Sequence, residues 1–154
     1  MTKITRHSAS AALEMLPDGV LIVRLAGPLT GEALLHFKAQ IVAMHGPSIR
    51  AFVADYTRAT IALTGAELDA VMEGEPDHSA PAMPAAMVVR TECLPLFAGH
   101  CIRMAARGRL RQVFTSFDGA ASWASLEAGL HVKPPAPQLV LRPQRQPGRR
   151  PSNT

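Results

Sequence analysis

The chemically capable residues of this 154-residue chain are a threonine hydroxyl, an aspartate and a run of arginines. Thr64 opens Thr64-Gly65-Ala66-Glu67, the spacing at which a hydroxyl and a carboxylate satisfy each other's free backbone donors at a helix start. As an N-cap, Thr64 is worth about 1 kcal/mol. The same hydroxyl is a candidate phosphoacceptor, because the positive end of the helix dipole tolerates added negative charge. Asp55-Tyr56-Thr57-Arg58 follows a short apolar run, at the expected carboxyl end of a central strand, where open α/β sheets place ligands. There Asp55 either orients a ligand or a partner amide, or stabilises the loop that follows. Arg103, Arg107, Arg109 and Arg111 gather around a helix end and the next strand. Bases are favourable at a helix C-terminus in their own right, and such a cluster can also receive a phosphate or an acidic partner. Asp55, Tyr56, Thr57, Arg58, Arg103 and Arg107 are therefore the candidate partner or ligand face, with Thr64 beside them.

Other reactive residue types lack the spacing their chemistry needs. Glu73, Glu75, Asp77 and His78 form an acidic patch without the i, i+4 histidine geometry of a metal site. No two of the six histidines share a helix face at ligand spacing. Cys93 and Cys101 are eight apart, neither a zinc spacing nor a redox pair. On a helix that separation is about 12 Å of rise, too far for a disulfide. Cys101 reads as a core residue rather than a nucleophile. There is no Gly-x-Ser-x-Gly elbow, no phosphate-cradling glycine loop and no dinucleotide fingerprint. The motifs thus offer no catalytic residues, no cofactor and no metal.

The elements that must position these groups alternate along the chain. Ser8–Glu14, the turn Leu16-Pro17-Asp18-Gly19 and Val20–Leu25 read as a hairpin that Gly27-Pro28 stops. Leu34, Phe37, Ile41 and Met44 mark one face of a helix from about Thr30 to His45, ended by Gly46-Pro47. Residues 51–56 and 85–89 are short buried strands, and a helix with Leu68, Val71 and Met72 on one face lies between them. Pro95 suits the first turn of a helix whose buried face is Phe97, Cys101, Met104 and Ala105, and Gly108 ends it. Residues 112–115 form the last strand, and Asp118 is the expected cap of a final helix with Ala120, Trp123 and Ala124 inward. The order β-β-α-β-α-β-α-β-α predicts an α/β fold. It is a single mixed, mostly parallel sheet of about five strands with an N-terminal hairpin and helices packed on it.

Composition supports one folded domain with an appendage. Hydrophobic residues make up 47% and charged residues 18%, which excludes wholesale disorder. Aromatics at 5% leave few platforms for stacking bases or sugars. The net charge of +4 is unevenly placed. Residues 133–154 carry five bases, no acid and six of the thirteen prolines, leaving eleven bases against all twelve acids in 1–132. The body is nearly neutral, and the basic, proline-rich tail is expected to lack regular structure. Nucleic acid or an anionic surface is thus a partner only through the tail. The stretch Gln138-Leu139-Val140-Leu141-Arg142 is one segment able to dock as an edge strand. The N-terminus shows no apolar signal segment, and no apolar run approaches a membrane span, so a cytoplasmic setting is expected.

Three stretches carry a resemblance. Gly19-Val-Leu-Ile-Val-Arg-Leu-Ala-Gly-Pro-Leu-Thr, Phe52-Val-Ala-Asp-Tyr-Thr, and Gln112-Val-Phe-Thr-Ser-Phe-Asp-Gly-Ala-Ala-Ser-Trp look like STAS-type domains over about residues 8–128. In particular they resemble the bacterial SpoIIAA-like group, with its Val-Phe strand and Ala-x-x-Trp helix. The resemblance implies a small α/β domain, often a partner-switching module of the cytoplasm, with a protein partner. Regulatory members carry a phosphorylatable serine after an acidic residue, in an Asp-Ser-Ser-Gly-like setting. Here the region reads Leu63-Thr64-Gly65, so the acidic residue is replaced by Leu63. A distantly similar group binds lipids, which makes a small apolar ligand beside the Phe97–Met104 helix the second reading. An exposed sheet edge would also allow a homodimer.

Overall fold

The computed structural model describes residues 1–73 and 83–130. Six strands form one sheet in the order β1-β2-β3-β4-β5-β6, so every strand lies beside its predecessor. β1 (Thr2–Arg6), β2 (Ala9–Met15) and β3 (Val20–Leu29) are an antiparallel meander. β4 (Ala51–Ile61), β5 (Ala85–Val88) and β6 (Arg111–Phe114) then join β3 in parallel. The crossovers are α1 (Gly31–His45), α2 (Gly65–Glu73) and α3 (Leu94–Ala105), and α4 (Phe117–Leu130) closes the described chain.

Adding strands always in one direction places the three crossover helices on one face of the sheet. α1 touches α2 and α2 touches α3, while α4 packs on β3, β4, β5 and β6 from the other side. Two cores result. Leu21, Val23, Leu25, Tyr56, Met87 and Val89 of the sheet meet Leu34, Phe37, Ile41, Leu68, Val71 and Phe97 of the crossover helices. Behind the sheet, Val20, Ile22, Ala51, Val53, Ala86 and Val88 meet Ala120, Ala124 and Ala128 of α4. The period-2 alternation of β3 and β4 feeds both cores at once, which explains why these strands read as continuous apolar runs.

The sheet exceeds the expected five strands by β1, whose alternation is masked by four exposed polar residues around Ile4. Two strands also run further than their sequence suggests. Gly27-Pro28 does not stop β3, because pairing with β2 ends at Ala26 and beyond it one flank is an edge, where proline's missing N–H is tolerated. Gly27 has φ +82°, and a side chain there would collide with the Ser8 carbonyl. β4 continues to Ile61 through a bulge opposite Leu25, where the register slips between Arg24/Asp55 and Ala26/Arg58.

Helix details follow their caps. The Thr30 hydroxyl accepts from the Ala33 N–H at 3.2 Å and starts α1, as its position predicts. Met44 departs from the expected face of α1 and is exposed. Likewise Ala105 is exposed on α3, whose buried face is Phe97, His100 and Met104. At the start of α4 the capping oxygen belongs to Ser116, which accepts from Gly119 N–H at 3.3 Å, rather than to Asp118. Three features named from the sequence lie outside the described residues: the segment holding Glu75, Asp77 and His78, the tail from 133 onward, and its Gln138–Arg142 stretch.

Candidate functional site

The N-terminus of α2 is built as its sequence requires. Thr64 N–H donates to Glu67 Oε1 at 2.9 Å, and Glu67 N–H donates to Thr64 Oγ1 at 3.1 Å. Both side chains are exposed. One turn further, Asp69 turns toward α3 and takes hydrogen bonds from Arg103 Nε at 2.5 Å and Nη2 at 3.2 Å. This two-point grip holds the Asp69 carboxyl below the usual carboxylate range. It also fixes the Arg103 guanidinium over two glycines. A side chain placed at Gly65 would meet Arg103 Nη2 at 3.0 Å, and one placed at Gly99 would meet Nη1 at 3.0 Å. Thr64 and Arg103, thirty-nine positions apart, therefore share one surface, where the guanidinium lies against backbone that two glycines leave open to it.

His100 lies under this surface and completes the network. Its Nδ1–H donates to Asp69 Oδ1 at 2.7 Å, and the residue is wholly buried. Burial keeps the imidazole harder to protonate than a free histidine, although Asp69 pulls the other way. Sequence reasoning passed over His100 because a single histidine on an apolar helix face carries no spacing signal. The Asp69–Arg103 separation of 34 residues is equally silent in one sequence.

The remaining candidates are dispersed. Asp55 continues the α4-side row of β4 and stands in register with Arg24 and Val88, well short of the strand's end. Its Oδ1 accepts from Thr57 N–H at 2.9 Å and from Thr57 Oγ1 at 2.7 Å, so Asp55 and Thr57 together stabilise the bulge. Tyr56 points to the opposite face, is 3% exposed, and stacks on Phe97 with ring centroids 4.7 Å apart. Burial raises its phenol far above the ordinary tyrosine range. Arg58 is exposed beyond the bulge. Because the strand order never reverses, the described sheet has no switch-point crevice at its carboxyl ends.

The arginine cluster divides as well. Arg103 belongs to the α2 surface. Arg107 and Arg109 lie past the end of α3, their N–H groups each donating to the Met104 carbonyl at 2.9 Å. Arg111 opens β6 and donates from Nη1 to the Met83 carbonyl at 2.8 Å. Cys101 is half-buried, and burial pushes its thiol up to about 11, consistent with a packing role. Phe97 and Met104, flanking the place where an apolar ligand would enter, are wholly buried. Among the described residues no group of histidine, cysteine, aspartate and glutamate side chains could hold a metal ion. No described helix is long and apolar enough to cross a membrane.

No family model and no curated protein matches the sequence. Solved structures do match the fold. An anti-sigma factor antagonist from Mycobacterium paratuberculosis is similar over 78% of this chain and 97% of its own, with a TM-score of 0.51 at 16% identity. An uncharacterized protein with a SpoIIAA-like fold from Shewanella loihica is similar over 76% of this chain and 94% of its own, with a TM-score of 0.50 at 15% identity. The chain has the SpoIIAA-like, STAS-type fold.

Proposed function

We propose that this chain, with its SpoIIAA-like fold, is a non-catalytic regulatory module of the bacterial cytoplasm that binds a protein partner through the Thr64–Arg103 surface. The observation that carries the reading is the guanidinium of Arg103, clamped on Asp69 over Gly65 and Gly99 and left 45% exposed at its side chain. A pre-positioned, half-exposed arginine is a ready anchor for a partner's carboxylate or carbonyl, and arginine is among the residues that dominate interface energetics. The second support is the fold shared with a mycobacterial protein described as an anti-sigma factor antagonist.

Thr64 provides the means of control within this reading. A kinase that moves a phosphoryl group from a nucleoside triphosphate to Thr64 Oγ1 would place it beside Glu67, which now accepts from the Thr64 N–H. Repulsion would open that half of the capping box, and the nearby Arg103 would offer the phosphate a competing partner to Asp69. The surface would change charge without any change of fold.

The test is affinity capture from the native cytoplasm with wild type and Arg103→Glu in parallel, followed by purification of the captured protein and titration of each form. Binding by wild type that weakens at least tenfold in Arg103→Glu, while the two melt within a few degrees of each other, supports the surface. Equal binding by both forms, or no partner at all, refutes it.

A further inference from the structure

The layer beneath α3 contains two buried nitrogen atoms that the described residues leave without a hydrogen-bond partner. One is Nε2 of His100, whose other nitrogen is committed to Asp69. The second is Nε of Arg111, whose Nη1 is committed to the Met83 carbonyl. Buried polar groups are almost always paired, so two orphans in one layer call for an account. The arginine is the more demanding, because its Nε–H is withdrawn from water and belongs to a charged group.

Among the described residues, the surroundings of Arg111 supply neither a counter-charge nor an acceptor for this Nε–H. The groups that act on its charge are Arg109, which repels it, and Tyr56 and Cys101, both held in their neutral forms by burial. No described carboxylate is among them. Arg109 precedes it by two residues, in the connection between α3 and β6, and its backbone is fastened to the last turn of α3. The charge of Arg109 therefore acts on Arg111 where the Nε–H already lacks an acceptor. With Nη1 taken, Arg111 keeps its Nε/Nη2 edge, the planar two-donor fork that matches two oxygens of one anion.

We propose that Arg111 and Arg109 form a binding site for a small oxyanion, a phosphate or carboxylate group, at the start of β6 beneath the C-terminal half of α3. The anion satisfies the orphaned Nε–H, neutralises the pair of like charges and ties β6 to the end of α3. It is separate from the Thr64–Arg103 surface, whose guanidinium is already paired with Asp69.

The full chain is titrated with sodium phosphate and, separately, with sodium acetate, each against sodium chloride at equal ionic strength, while urea unfolding is followed. Binding to the native state alone lowers the unfolding equilibrium constant about elevenfold when the free anion is ten times its dissociation constant. The effect should saturate in wild type, weaken in Arg109→Gln and vanish in Arg111→Lys, which keeps the charge but loses the fork. A response to phosphate alone assigns a phosphate group, and a response to acetate as well assigns any simple oxyanion. The His100 ring gives a second readout by NMR. It is faced by Asp69 from α2, Arg103 on its own helix and Arg111 from β6, so an anion on Arg111 should ease its protonation and move its titration upward. A wild type that behaves alike in phosphate, acetate and chloride overturns the proposal, as does a saturable response that survives Arg111→Lys. It is also overturned if a response missing in wild type emerges in Glu75→Gln/Asp77→Asn, because the counter-charge would then come from the chain itself.

Discussion

The two faces of the sheet are made of different materials. Behind it, α4 presents Ala120, Ala124 and Ala128, all wholly buried, against valines, alanines and one isoleucine. Small residues let the helix axis approach the strands closely, and the buried cluster contains no polar side chain. In front, the crossover helices bury larger side chains, Phe37, Phe97, Leu68 and Met104, and among them the ionisable groups of Tyr56 and His100. The rear face is a close-packed seam. On the front, packing leaves room for polar atoms, and there the Asp69–His100–Arg103 network and the orphaned nitrogens are found. Among the described residues, the buried ionisable groups Tyr56 and His100 both lie on this one side of the six strands.

If that contrast is right, the two faces should fail in opposite ways. The largest effect should come from emptying the front. Phe97→Ala should cost about 4 kcal/mol by equilibrium urea unfolding, because the ring is wholly buried and stacked on Tyr56. Filling the rear should come next: Ala124→Leu adds bulk where nothing can yield and should cost about 2 kcal/mol in the same measurement. A neutral outcome at Ala124 would show that the seam is looser than its small residues suggest. Outside both faces, Thr64→Ala removes one half of an exposed capping box and should cost about 1 kcal/mol.

The last difference is absent at neutral pH and grows on acidification. His100 is harder to protonate folded than unfolded, since burial opposes its charge. Above the unfolded value, about 6.5, both states are neutral and the group contributes no slope. As pH falls below it, the unfolded chain takes up a proton that the native state resists, so stability declines. Asp69, held below the usual carboxylate range chiefly by Arg103, adds a second loss at lower pH still, as its carboxylate is protonated. Urea unfolding from pH 7.5 to 5 should show the first decline in wild type and a flatter profile in His100→Gln. Parallel profiles would remove His100 as the cause.

Much of this architecture could be read from residue patterns, and the unread parts share a physical reason. Val20–Leu25, the Ala51 strand and the Thr64 capping box are local signals, carried by neighbours in the chain, and each forms where it was expected. The extension of β3 through Gly27-Pro28 depends on which flank of the strand is paired, a fact that belongs to β2 and not to the dipeptide. Asp55 is legible as a strand carboxylate, yet its engagement with Thr57 depends on a bulge set by the register against β3. His100, Asp69 and Arg103 are scattered over 34 residues and meet only because α2 lies against α3. Long-range encounters leave no periodicity, which is why the candidate site was half visible and the fold nearly complete.

The unbroken strand order has a further consequence for how the chain is made. During synthesis each strand emerges from the ribosome after the one it must pair with, so the sheet can grow at a single edge and never has to open for a late arrival. A nascent chain that has reached α3 already owns five neighbouring strands and three helices in their final order. Of the described elements, β6 and α4 appear last and bring both Arg111 and the alanine seam, so until they emerge the rear of the sheet lacks this helix. The segment that fills the rear core is thus the same one that extends the sheet at its growing edge.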